Sequence, residues 1–192
     1  MSFIRLWWAA ISKPLKMIEE LAKKPAPLSG FLMVLTRFII TSATSLLALY
    51  LLHRLPFAPS RLTFLPIEKY YGAEIFFLPV WGIGMWLLMA ALVHLLIRLA
   101  RRTSNYDQIL NIIGMGMLTP MPFLWLWDWA AVGMNIYSVT AQAISHSIAQ
   151  LWETSIQTIG FKTILGLRLP AAVILALAAN ALYVSLAMIF IR

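Results

Sequence analysis

Four stretches of this chain, residues 31–52, 75–97, 109–127 and 170–191, are almost free of charge. Among Asp, Glu, Lys, Arg and His, the first contains only Arg37 and the second only His94. Each is about long enough to cross a hydrocarbon core of ~30 Å at ~1.5 Å of rise per helical residue. A backbone in lipid must satisfy its own polar groups, so blocks of this length are read as helices. The expected fold class is therefore all-α, an integral membrane bundle.

Composition supports that reading. The chain is 61% hydrophobic and 11% charged, with a mean hydropathy of +0.84, outside the range of soluble domains. Its net charge of +8 does not point to nucleic acid, because the basic residues flank apolar blocks instead of forming a solvated patch. Cysteine is absent, which excludes disulfides, thiolate metal sites and a cysteine nucleophile. Trp7, Trp8, Trp125, Trp127 and Trp129 stand at block ends, as in an aromatic belt at the headgroups. Phe3–Ile11 is apolar but short, contains Arg5 and lacks a small-residue cleavage site, so the first span is expected to act as its own insertion signal.

Residues 1–27 form the first unit, an N-terminal segment whose apolar positions Ile11, Leu15, Ile18 and Leu21 recur at helical spacing. Lys13, Lys16, Glu19, Glu20, Lys23 and Lys24 fill its other face, with Glu19–Lys23 and Glu20–Lys24 as i,i+4 pairs. A basic, Trp-bearing amphipathic segment beside a span predicts an interfacial helix; a solvated cap is the other reading. Residues 28–192 form the membrane unit. Within its third block, Thr119-Pro120-Met121-Pro122 predicts a kink or break, because proline lacks the backbone donor and clashes with the preceding turn.

Residues 130–160 are too polar to read by hydropathy. Asn135, Ser138, Gln142, His146, Gln150, Glu153 and Gln157 nevertheless recur at steps of three or four, which places them on one helical face. Such a helix lies flat at the interface, or spans with its stripe turned to protein or a cavity. Charge decides. With the N-terminus cytoplasmic and five spans (31–52, 75–97, 109–127, 135–159 and 170–191), Arg5, Lys13, Lys16, Lys23, Lys24, Arg98, Arg101, Arg102, Lys162 and Arg168 all lie inside. Only Arg54, Arg61, Lys69 and Arg192 lie outside, in keeping with the positive-inside rule. Four spans would move Lys162 and Arg168 outside and weaken the bias. The expectation is five spans in the inner (plasma) membrane, with the C-terminus external.

A charge inside a span costs on the order of 2.5–3.5 kcal/mol on insertion scales, so it pairs, snorkels or lines water. Arg37 and Glu153 are the natural pair. Arg37, Thr41 and Ser45 continue as a stripe expected to face the fourth helix. Arg37, His94, Asn111, His146 and Glu153 are the candidate intramembrane cluster, lining a hydrated polar pocket or relay; the other reading is that Arg37 snorkels to cytoplasmic headgroups and the rest are interhelical packing glue. Asn135, Gln142, Gln150 and Gln157 extend it along the fourth helix. Asn180, alone among alanines, is expected to hydrogen-bond across a seam, and Ala172, Ala176, Ala179, Gly82, Gly84, Gly114 and Gly116 offer surfaces for close packing. No metal, cofactor or catalytic residue is expected, since no HxxxH or HxxE spacing, nucleophile–base pairing or phosphate loop occurs. Lys13, Lys16, Lys23, Lys24, Arg98, Arg101 and Arg102 are the candidate contacts for anionic headgroups, with a homo-oligomer or a protein partner at the cytoplasmic face as further expected associations.

The order of elements is also distinctive. Lys13-Pro14-Leu15-Lys16, Glu20-Leu21 and Lys24-Pro25 lead into the first span, and Tyr106-Asp107-Gln108-Ile109-Leu110 opens the third, which ends at Thr119-Pro120. Trp152, Ile159-Gly160-Phe161 and Leu165-Gly166-Leu167 precede an alanine-rich last span. Over roughly residues 10–190 this resembles the bacterial members of the Yip domain family. The resemblance implies five spans, a cytoplasmic N-terminus and no catalytic residues. Eukaryotic members bind Rab-type GTPases and shape membranes, but the long cytosolic region that precedes their spans is missing from this sequence. The function expected is a non-enzymatic, membrane-organising or partner-binding module. The alternative is a small oligomeric channel or carrier using the polar stripe and the broken third helix.

Overall fold

The computed structural model describes residues 3–23, 27–57 and 64–191, and their regular structure is entirely helical. Short helices α1 (Phe3–Ser12) and α2 (Pro14–Lys23) precede α3 (Pro27–Thr41), which runs through a π-helical turn (Ser42–Leu46) into α4 (Leu47–Leu51). A 3₁₀ turn (Ile67–Lys69) then opens α5 (Tyr70–Leu99), followed by α6 (Tyr106–Leu118), α7 (Met121–Gly133), α8 (Val139–Ile164) and α9 (Leu169–Phe190). Lys24, Arg61 and Arg192 lie outside the described residues, as does the side chain of Lys23.

Four helical stretches are long and apolar enough to cross a membrane: Pro27–Leu51, Ile67–Leu99, Tyr106–Gly133 and Leu169–Phe190. They coincide with the four charge-poor blocks of the sequence, with somewhat different ends. The region expected to span over 135–159 differs. Its helix begins only at Val139, after the Ser138 hydroxyl caps the Ala141 N–H at 3.2 Å. Asn135 stands outside it in a left-handed conformation (φ 56°) and accepts a hydrogen bond from Arg54 at 3.2 Å. The stripe on α8 therefore starts at Gln142.

Local chemistry explains the other boundaries. The Asn105 side chain accepts from the Gln108 N–H at 3.3 Å and starts α6. Pro120 and Pro122 have no N–H to give the carbonyls one turn back, so α6 stops at Leu118 and α7 begins afresh at Met121. The break expected at this position is present.

Contacts between helices set their directions. Gly30 meets Asn111 and Arg37 meets Met117, so α3 and α6 run parallel. Gly160 lies against Ile112 and Gly116 against Gln157, so α8 runs antiparallel to α6. Asn180 meets Gln157, and Tyr70 bonds the Phe190 carbonyl, which makes α9 antiparallel to both α8 and α5. One end of the bundle thus collects the starts of α3, α6 and α9 with the ends of α5 and α8. We call it the near end; α7 and α9 finish at the far end.

Small residues permit the tightest seams. A Cβ on Gly114 would lie 2.7 Å from the Gly30 carbonyl oxygen, so α3 and α6 touch backbone to backbone. Ala172, Ala176 and Ala179 are fully buried. α2 turns Met17, Ile18 and Leu21 onto Met33, Met115 and Leu118, while Lys16 and Glu19 stay exposed. The outer surface is apolar. Phe76, Val80 and Leu126 are each more than 70% exposed, which suits lipid better than water.

Candidate functional site

Arg37 is buried about two-thirds of the way along α3, where a guanidinium needs several acceptors. Its Nη1 donates to Glu153 Oε2 at 3.0 Å and to the Met117 carbonyl at 2.9 Å, and its Nη2 donates to the Tyr183 hydroxyl at 3.2 Å. Met117 lies in the last turn of α6, just before the proline break. The guanidinium also sits 5.1 Å from the Phe38 ring centre and 5.3 Å from that of Tyr183. One side chain thus ties α3 to α6, α8 and α9.

The network continues away from the pair. Gln157 Nε2 donates to Glu153 Oε1 at 3.0 Å, and Asn180 Nδ2 donates to Gln157 Oε1 at 2.9 Å. Gln150 Nε2 donates to Asn180 Oδ1, and Asn180 also reaches Thr154 and the Ala176 carbonyl. Glu153, Gln157 and Asn180 are all under 5% exposed. This half of the α8 stripe is a dry, mutually bonded seam, of the kind in which each polar group satisfies the next.

Toward the far end the same helical face meets a cavity of about 150 Å³. Arg37 and Met121 line its inner part, and Tyr137, Gln142 and the exposed His146 its outer part. Glu74 of α5 and Asp128 of α7 add carboxyl groups to the wall. Asp128 Oδ2 accepts from the Ser45 hydroxyl at 2.8 Å. Gln142 turns its side-chain amide to Asp128, donor toward acceptor, and the nearby His146 also acts on the Asp128 charge.

The expected cluster is therefore only partly assembled. Arg37 and Glu153 do meet. His94 does not join them, because the loop after α5 folds back and supplies Ser104, 3.0 Å from its Nδ1. Asn111 is at the near end, accepting from the Gly30 N–H at 3.0 Å. His146 stands at the far end and bonds the Gln142 carbonyl of its own helix at 2.9 Å. The Thr41 and Ser45 stripe faces α7 instead of α8: Trp125 Nε1 donates to Thr41 Oγ1 at 2.9 Å, and Ser45 meets Asp128. Lys13, Lys16, Arg98, Arg101 and Arg102 are all exposed.

Glu74, Asp128 and Tyr183 were not among the residues singled out from the sequence. The usable signal was present for Asp128, a lone carboxylate within the Trp-rich run 125–129. Tyr183 carried no such signal, since a tyrosine in an apolar helix is ordinary.

These helices and this polar interior define an all-helical protein with four apolar helices of membrane-spanning length and a buried ionic seam. Compared with protein-family models, with curated proteins and with solved structures, the chain finds no match.

Proposed function

We propose that this chain is a non-enzymatic, five-span protein of the Yip type in the inner membrane, organising lipid or docking a partner at its cytoplasmic face. The observation that carries this reading is the uneven distribution of exposed basic residues. Arg98, Arg101, Arg102, Lys162 and Arg168 are at the near end, with Lys13 and Lys16 on the segment leading to it. Arg54 and Lys69 are the described basic residues of the far end. On the positive-inside rule the near end is cytoplasmic, and a surface carrying so many cations attracts anionic headgroups at about 1 kcal/mol per residue. Support for α8 as the fifth span comes from its antiparallel course between α6 and α9. It turns Glu153 and Gln157 inward and leaves Ile144, Ile148 and Leu151 exposed. The interfacial role of α2 rests on its exposed Lys16 and on its leading into α3, which starts at the near end.

The far-end cavity favours a second reading, a small carrier. Against a continuous pathway stands the seam beyond Arg37, where the polar side chains are bonded to one another. Proteoliposomes containing only this protein separate the two. Retention of anionic over zwitterionic lipid, lost when Arg98, Arg101 and Arg102 are changed together to Gln, is expected without solute or ion flux. Flux abolished by changes at Gln142, His146 or Glu153 would establish the carrier instead.

A further inference from the structure

We infer that the near end of the bundle holds a lipid whose headgroup carries two phosphates, of the cardiolipin type, at the corner where the end of α5 meets the start of α9. The inference rests on the membrane-organising reading and narrows it from anionic lipid in general to one kind of headgroup.

Two arginines at this corner stand where local rules disfavour them. α5 ends in a pair of capping bonds, from the Arg101 N–H to the Arg98 carbonyl at 2.9 Å and from the Arg102 N–H to the Ile97 carbonyl at 3.2 Å. That pattern holds Arg101 in the left-handed region, at φ 56°, a position that glycine normally fills. Arg168 is the N-cap residue of α9, a helix with no acidic residue in its first turn and no side-chain cap. A cation there opposes the positive end of the helix dipole. Residues that work against the local backbone in this way mark sites kept for another purpose.

The fold brings the two together. The rings of Trp81 and Tyr183 lie 5.4 Å apart between the antiparallel helices α5 and α9. Equal runs of residues from that contact lead back along α9 to Arg168 and forward along α5 to Leu96, just short of Arg98. Leu167, Val93 and Ile97 belong to the same buried apolar core. Arg98, Arg101, Arg102 and Arg168 are exposed, and among the described residues none of them forms an ion pair. Asp107, in the first turn of α6, is the acid nearest the first three in sequence and is not paired with them.

The kind of cation selects the ligand. The basic residues of α2 are lysines, whereas those at this corner are arginines, whose guanidinium forks bind phosphate oxygens in pairs. Four such groups on two chain segments exceed what one phosphodiester engages and match two phosphates joined through one glycerol. The join makes the second contact intramolecular, so it costs little further freedom. Leu88, Leu95 and Leu99 are exposed on the side of α5 that also carries Arg98, and Leu169 is exposed next to Arg168. These leucines offer the acyl chains an apolar surface beneath the headgroup.

The test uses the full chain in neutral detergent with tetraoleoyl cardiolipin and dioleoyl phosphatidylglycerol, matched by phosphate, and dioleoyl phosphatidylcholine as the zwitterionic control. Native mass spectrometry counts the lipids retained. Cardiolipin is expected to be kept over phosphatidylglycerol by at least about tenfold per phosphate, the gain from linking two contacts. Arg101→Gly and Arg168→Gln are each expected to reduce that preference by about fivefold, the contribution of one cation near the membrane surface. Lys13→Gln with Lys16→Gln is expected to leave it intact. The thermal midpoint of Arg101→Gly in lipid-free detergent is expected not to fall, because glycine suits the left-handed backbone, and this separates lost binding from lost folding. Equal retention of the two anionic lipids overturns the inference and leaves the membrane-organising reading standing. Equal retention of all three lipids overturns both. A preference unchanged in Arg101→Gly and in Arg168→Gln also overturns the inference.

Discussion

Arg37→Ala and Glu153→Ala, made singly and together, form a cycle that measures the ionic seam. The Arg37 side chain is 9% exposed and that of Glu153 2%, so water screens the pair little. Losing one partner of such a pair costs on the order of 3–5 kcal/mol, because a charge is left buried alone. The two singles are not equivalent. A stranded guanidinium cannot deprotonate, whereas a stranded carboxyl group can take up a proton and keep its bond from Gln157. Glu153→Ala is therefore the costlier, at about 3–5 kcal/mol. Arg37→Ala falls nearer 2–3 kcal/mol, for the orphaned Met117 carbonyl and the lost Tyr183 contact. The double variant removes both charges and is expected to cost about 2–3 kcal/mol less than the sum. Reversible unfolding in mixed micelles, monitored by tryptophan fluorescence, gives all three values. Losses that add to within about 0.5 kcal/mol would refute the pairing as an energetic unit. The seam would then be ordinary interhelical packing, at an average of about 0.6 kcal/mol per polar contact.

Two glycines make a matched pair. Gly114→Ala drives a methyl against the Gly30 backbone and is expected to cost about 1–3 kcal/mol, while Gly84→Ala meets nothing within 4 Å and is expected to be neutral or to stabilise by up to about 1 kcal/mol. The same unfolding measurement ranks them, and equal effects would contradict the α3–α6 contact. Asn180→Leu leaves Gln150, Thr154 and Gln157 short of a partner and is expected to lower stability by about 1–3 kcal/mol in the same measurement, and an unchanged stability would contradict the bonded seam. Because the chain has no cysteine, single cysteines placed at Thr103 and at Leu55 report topology by labelling in intact spheroplasts. Labelling from outside is expected at Leu55 alone, and the reverse pattern would invert the orientation.

The seam was legible because two opposite charges in an apolar setting have few alternatives to each other. The positions of His94, Asn111 and His146 were not. Distance along a helix predicts depth in the bundle, but the direction in which each side chain points depends on neighbours distant in sequence. His94 finds Ser104 only because the loop after α5 turns back. The α8 stripe looks uniform from Gln142 to Gln157, yet its two halves meet different surroundings. Near Glu153 and Gln157 the wall of α9 supplies Asn180, while near Gln142 and His146 the proline-separated α7 leaves a cavity. Thr41 and Ser45 face α7 for a related reason: their partners, Trp125 and Asp128, lie beyond the break, on the α7 side of it.

The sequence by itself determined the helical class, the four apolar helices and the break at Pro120, and it offered Arg37 and Glu153 as a pair beside the alternative that Arg37 snorkels to headgroups. These follow from local rules: apolar run length, the missing proline N–H, and the cost of a lone charge in lipid. Only the tertiary structure decided that the polar residues of one helical face separate into a closed seam and an open cavity. That division depends on which helix stands opposite and how near glycine and alanine let it come, and no spacing within a single helix contains that information.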